Sequence, residues 1–186
     1  MVLQAIQDGW LKLARQNISP HFDERPKQVD VDLLVIHCIS LPCGNYGTPY
    51  IDDLFLGKLD PNTHPDFQDI YQLRVSAHLL IRRDGEVVQY VPFDKRAWHA
   101  GVSQFQGREK CNDFSIGIEL EGTDTTTFTD EQYQQLAEIT GHLMMLYPKL
   151  TKSRIVGHEH IAPGRKTDPG IGFDWDHYFH SLEKRA

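Results

Sequence analysis

The chain alternates short apolar runs with polar connections rich in glycine and proline. The run "VDLLVIHCIS" (31–40) is apolar, β-branched and nearly unbroken, which predicts a buried central strand. "RVSAHLLIRRDGEVVQYVPF" (74–93) sets two β-rich runs around Asp84-Gly85 and predicts a hairpin with a tight primed turn. "DFSIGIELEG" (113–122) alternates cleanly. Ile116, Ile118 and Leu120 share one face of that strand; Ser115, Gly117, Glu119 and Glu121 share the other. Thr129 followed by Gln132 is a capping box. It predicts a helix running to about Tyr147 and stopped by Pro148, with Leu136, Ile139, Leu143 and Leu146 at helical spacing. "SRIVGHEH" (153–160) reads as another short strand, and "FDWDHYFHSLEK" as a closing helix capped by Asp174. Strands, helix, strand, helix in that order predict an α/β fold: one domain over 1–186, a central mixed β-sheet with helices packed on it.

Between the first two predicted strands lies "LPCGNYGTPYIDDLFLGKLDPNTHPDF", Leu41 to Phe67, with one helix-like piece around Ile51 to Leu56. A connection that long inside a small domain is usually functional, so it is expected to wall or cover a cleft. At 186 residues, the chain can bury a core without staples. A net charge of −7 argues against nucleic acid or an anionic membrane as main partner. No apolar run reaches the length of about 18 residues that a spanning helix requires. Gln4, Gln7 and Asp8 interrupt the apolar stretch that an export signal would need at the start, so a cytoplasmic location is expected. Cys38, Cys43 and Cys111 are an odd set without a paired motif and are expected as free thiols.

Chemistry concentrates in "VGHEHIAPGRKTDPG" (156–170). His37 ends the first strand, with Cys38 facing the other way. His37, a second imidazole and Asp168 would make a zinc set of three protein ligands with an open fourth position, the catalytic arrangement. Spacing leaves His158 and His160 as equal candidates, since on a strand both would face the same way. Lys166 precedes Asp168 by two residues. A cation beside a metal carboxylate makes sense as the stabiliser of a developing oxyanion. Glu119, followed by Glu121 on the same face, is a candidate general base and then acid.

Four blocks, "VIHCIS", "VSAHLLIRRDGEVVQYVPFDKRAWHAG", "NDFSIGIELEG" and "GHEHIAPGRKTDPG", together resemble the zinc N-acetylmuramoyl-L-alanine amidases, whose fold is shared with peptidoglycan-recognition proteins and phage amidases. The resemblance is closest to the AmpD-type cytosolic branch and runs from about Trp10 to the last helix. It implies zinc on His37, His158 and Asp168, with His160 outside the ligand set, and Glu119 and Lys166 as the catalytic pair. The tyrosine of some relatives falls at Ala77 and is missing here, and many relatives carry cysteine where Asp168 stands. Cys38 replaces an expected asparagine. Trp98 and His99 are expected to line the pocket, and Arg74, Arg108 and Arg165 to meet peptide carboxylates. The implied substrate is a small muropeptide ending in 1,6-anhydro-N-acetylmuramic acid. The implied role is cell-wall recycling, by a monomer that lowers the muropeptide signal for β-lactamase induction. The rival readings are a zinc-free peptidoglycan-binding module and an exported wall autolysin.

Overall fold

The structure is a computed structural model and describes residues 5–184. The expectation that rests on Gln4 therefore lies outside the described residues. The centre is a six-stranded mixed sheet. In chain order its strands are β1 (Arg15–Gln16), β2 (Leu33–Ile39), β3 (Leu79–Ile81), β4 (Val87–Gln89), β5 (Ser115–Glu121) and β6 (Ile155–Gly157). Across the sheet they run β6-β2-β5-β3-β4-β1. β2 and β5 are the long central pair, parallel and in register from Leu33 opposite Ser115 to Ile39 opposite Glu121. The helices are α1 (Tyr50–Phe55), α2 (Asp130–Leu146), α3 (His158–Ile161) and α4 (Trp175–Glu183).

Alternation along the central strands divides the protein into layers. Leu34, Ile36, Ile116, Ile118 and Leu120 point into one apolar cluster with Leu136, Ile139 and Leu143 of α2 and Tyr178 and Leu182 of α4. Leu33 and Val35, on the opposite face, pack with Ala100, Phe114 and Ile161. A third cluster joins Leu54 and Phe55 of α1 to Leu80, Val88 and Tyr90. Burying one such side chain contributes about 1.5–3 kcal/mol, so the two filled faces fix the sheet firmly. The polar residues of β5 are thereby forced into a second interior, not into solvent.

The capping box forms as predicted. Thr129 Oγ1 accepts from the Gln132 amide at 3.2 Å, and Gln132 Oε1 accepts from the Thr129 amide at 3.0 Å. Asp174 caps α4 through the His177 amide at 2.9 Å. On the α2 stripe, Leu146 is 39% exposed, while the other three predicted positions are fully buried.

Two local expectations change. The β3–β4 connection is not a primed two-residue turn. Gly85 has φ +87° but Asp84 is not in the left-handed region, and the turn closes with the Gly85 amide on the Arg82 carbonyl at 2.9 Å. A type I′ turn needs both central residues at positive φ and a type II′ turn needs the first of them, and Asp84 satisfies neither. Here the Arg83 amide is taken by Glu121 Oε2 at 3.2 Å instead of by the ladder. The predicted strand 153–160 stops at Gly157 and turns into α3, so His158 and His160 are no longer two residues apart on one strand face.

The long connection walls a cleft, as expected: its Cys43, Leu54 and Phe55 line it. Its base is fastened to the sheet. Buried Glu121 accepts from the Gly47 amide at 2.7 Å and from Arg82 Nη1 at 3.2 Å, and Arg82 Nη1 also donates to the Thr48 carbonyl. The cysteines are free.

Candidate active site

The cleft has a volume of about 520 Å³, within the range of small-ligand sites. It opens beside the C-terminal half of β2 and β5, where parallel α/β sheets carry their ligand sites. His37 and Glu119 are register partners on these two strands, so their side chains leave the same face side by side. α3 and the loop after it bring His158 and Asp168 against them.

Three donor atoms converge. His37 Nδ1 lies 3.0 Å from His158 Nδ1 and 3.0 Å from Asp168 Oδ2, and His158 Nδ1 lies 3.1 Å from Asp168 Oδ2. His158 Nε2 sits 3.0 Å from the Ala100 carbonyl. A carbonyl only accepts, so the proton of neutral His158 is on Nε2 and its Nδ1 offers a lone pair. That lone pair and the Asp168 oxygen face each other with at most one proton, from His37, to share. A cation resolves this crowding, so the donors fit a metal held by two imidazoles and one carboxylate. Burial lowers the His37 pKa to about 4, against the opposing pull of Asp168, so the ring is neutral at pH 7, as a ligand must be. Burial would raise the Asp168 carboxyl, but its contacts with His158 and His37 hold it well below the usual carboxylate range. His160 is exposed and outside the cluster; its Nδ1 accepts from the Gly157 amide at 2.9 Å.

Glu119 is 9% exposed, and its Oε2 is buried without a hydrogen-bond partner among the described residues. Burial drives its carboxyl well above the ordinary range, Asp168 adds to this, and Lys166 opposes it. A carboxyl raised this way holds a proton more readily than an exposed one, which suits a group that must both take up and return a proton. Lys166 is exposed, lines the cleft, and acts electrostatically on both Glu119 and His37.

The remaining candidates separate. Trp98 lines the cleft, and its indole N–H donates to Asp23 Oδ1 at 3.1 Å. Arg74 is exposed at the rim, with its guanidinium 5.9 Å from the Trp98 ring centre. Arg165 lines the cleft, but its Nη2 donates to the carbonyls of Ala100 and Val102, both at 2.6 Å. Arg108 is not brought to the site. It pairs with Asp32 at 2.6 Å and lies 3.7 Å over the Phe114 ring. His99 lines the cleft, yet both its ring nitrogens are engaged, Nδ1 with His37 at 2.9 Å and Nε2 with Ser115 at 3.0 Å. Ala77 is buried in the cleft wall and offers no polar group. Ser115 and Asn112 escaped the sequence reading as site residues. Asn112 Oδ1 accepts from the amides of His99 and Ala100 and so pins the backbone beside both histidines. Only the inward parity of Ser115 hinted at its position.

A mixed α/β sheet that carries three metal donors on an open cleft, beside a desolvated carboxyl, has the equipment of a metal-dependent hydrolase. Comparison with known proteins narrows the class. Residues 27–171 match the N-acetylmuramoyl-L-alanine amidase family model, and the chain belongs to that family. It is similar to the 1,6-anhydro-N-acetylmuramyl-L-alanine amidase AmpD of Escherichia coli K12, with 64% identity over 91% of this chain and 92% of that protein. A crystal structure of a selenomethionine AmpD derivative matches with a TM-score of 0.93 and 61% identity, covering 95% of this chain and 98% of the other. A more distant structure is the Escherichia coli amidase AmiD in complex with anhydro-N-acetylmuramic acid-L-Ala-D-γ-Glu-L-Lys. It matches with a TM-score of 0.59 and 26% identity, over 92% of this chain and 60% of that one. Among the described residues no helix is long and apolar enough to cross a membrane.

Proposed function

We propose that this amidase hydrolyses the amide between the lactyl group of 1,6-anhydro-N-acetylmuramic acid and L-alanine in small muropeptides, with zinc held by His37, His158 and Asp168. The observation that carries this reading is the convergence of those three donor atoms next to Glu119, whose buried Oε2 has no hydrogen-bond partner among the described residues. Bound zinc supplies Lewis acidity and a water acidified toward neutrality.

The chain supplies the proton handling. Glu119 takes the proton of the attacking water and returns it to the alanine nitrogen as the carbon–nitrogen bond breaks, leaving a lactyl carboxyl and a free amine. Desolvation raises the proton affinity of its carboxyl and so favours both the uptake and the return of that proton. Lys166 presents its ammonium at the cleft, where it stabilises negative charge on the tetrahedral carbonyl oxygen. Trp98 offers an apolar wall, and Arg74 and Arg165 offer positive charge for the peptide carboxylates. The substrate class is supported by the activity for which the AmpD relative is named and by the muropeptide bound in the AmiD complex. The proposed setting is the cytoplasm, with the whole chain acting as one monomeric domain. There it recycles wall fragments and limits the muropeptides that induce β-lactamase.

The test is product analysis by mass spectrometry. Anhydromuramyl-tripeptide should yield free tripeptide and the anhydro sugar, while intact sacculi should release little. Rapid release from sacculi with no cleavage of the soluble fragment would favour a wall autolysin and refute the assignment.

A further inference from the structure

His158 and His37 are fixed by different means. The second nitrogen of His158 faces the Ala100 carbonyl, which dictates its tautomer. The second nitrogen of His37 faces another imidazole, His99 Nδ1, at 2.9 Å, and the two rings stand perpendicular. His99 Nε2 in turn faces Ser115 Oγ at 3.0 Å, and Ser115 is fully buried. Gly117 leaves room for this relay: a Cβ there would lie 2.4 Å from His99 Nδ1.

A chain of imidazole, imidazole and hydroxyl can run in two directions with the same number of protons. In one, His37 Nε2–H donates to His99 Nδ1, and His99 Nε2–H donates to Ser115. The His37 Nδ1 lone pair then points into the donor cluster. In the other, the Ser115 hydroxyl donates to His99 Nε2, and His99 Nδ1–H donates to His37 Nε2. His37 then carries its proton on Nδ1, where the Asp168 oxygen accepts it at 3.0 Å. Only the first direction leaves His37 able to bind a metal.

Resting on the proposed zinc site, we infer that His99 and Ser115 are positioning residues that hold His37 in its metal-binding tautomer. His99 acts through His37 and is not a substrate contact. The segment Trp98–Gly101 then serves both ligand histidines: His99 for His37, and the Ala100 carbonyl for His158, with Asn112 pinning the two backbone amides. Partners of this kind are worth about 10–100-fold in metal affinity. Removing the Ser115 hydroxyl takes away the partner of His99 Nε2, so the far end of the relay is no longer anchored and His99 holds the His37 ring less firmly, although Ser115 lines no part of the cleft.

The experiment is competition of the zinc-depleted chain against a chromophoric chelator, with zinc as the probe. Ser115→Ala and His99→Phe should bind zinc about 10–100-fold more weakly than the parent. His99→Asn, whose carbonyl can accept from His37 in place of Nδ1, should recover most of the loss. Long-range proton–nitrogen spectra of the zinc-loaded parent should show His37 and His99 both protonated on Nε2. Parent-like zinc affinity in Ser115→Ala and His99→Phe, with only KM raised in the latter, would overturn the inference. So would a proton on His99 Nδ1 in the loaded protein. A parent chain that takes up no zinc would instead sink the metal site itself.

Discussion

Replacing Glu119 with glutamine separates catalysis from stability. The substitution keeps the side-chain volume and removes the carboxyl's ability to carry a proton between water and amine. General acid–base catalysis of this kind contributes about 10²–10⁴ in rate, or about 3–5 kcal/mol of activation free energy. The stability effect should run the other way. Glu119 is 9% exposed, one of its oxygens is buried without a partner among the described residues, and burial pushes its carboxyl up. An unpartnered buried polar group costs about 1–3 kcal/mol, and more when charged. Glutamine removes the charge, so the melting temperature should hold or rise while kcat falls by about 10²–10⁴. Zinc content should not change, because Glu119 donates nothing to the three-atom cluster. The assays are steady-state cleavage of anhydromuramyl-tripeptide, differential scanning calorimetry and metal analysis on one preparation. A variant that keeps nearly full activity, or that loses its zinc, would remove Glu119 from the role of base.

Alanine at His37 should abolish zinc uptake, whereas alanine at His160 should leave the stoichiometry intact; atomic absorption distinguishes the two. Arg108→Ala should leave KM for the muropeptide unchanged, because its guanidinium is committed to Asp32 and the Phe114 ring, while Lys166→Ala should depress kcat by about 10²–10³; steady-state kinetics reads both. Buried His78 has its pKa lowered to about 3 by desolvation, with Arg25 adding to the shift. It is depressed below its unfolded value, so the folded state binds fewer protons, and the stability it contributes is lost as pH falls from about 6.5 toward 3. His78→Gln should therefore flatten the loss of unfolding free energy across pH 4–6 by on the order of 1 kcal/mol per pH unit, as measured by urea titration.

The layers were legible because the central strands alternate so cleanly. Even-numbered residues of β2 and β5 fill the core under α2 and α4; the odd-numbered ones share the opposite face, where Leu33 and Val35 pack in an apolar cluster and His37 and Glu119 reach the site. Both helix starts were legible because capping is local chemistry. The β3–β4 turn was not, because Glu121, far off in sequence, takes the Arg83 amide. His158 and His160 could not be separated by spacing, since that depends on the chain leaving its strand at Gly157. The resemblance had favoured His158, and only His158 reaches the cluster. Arg108 looked as available as Arg165 because charge alone does not reveal a partner such as Asp32. His99 was noticed for its motif, but its bonds to His37 and Ser115 join three separate segments and leave no trace in any one of them.

The central claim is that cleavage depends on zinc held by His37, His158 and Asp168. Anhydromuramyl-tripeptide hydrolysis should be measured before chelation, after exhaustive chelation, and after return of one equivalent of zinc. The account predicts loss of cleavage on chelation and its recovery with zinc in the parent, with no recovery in His37→Ala. Cleavage that continues unchanged in the chelated, zinc-depleted chain would contradict it.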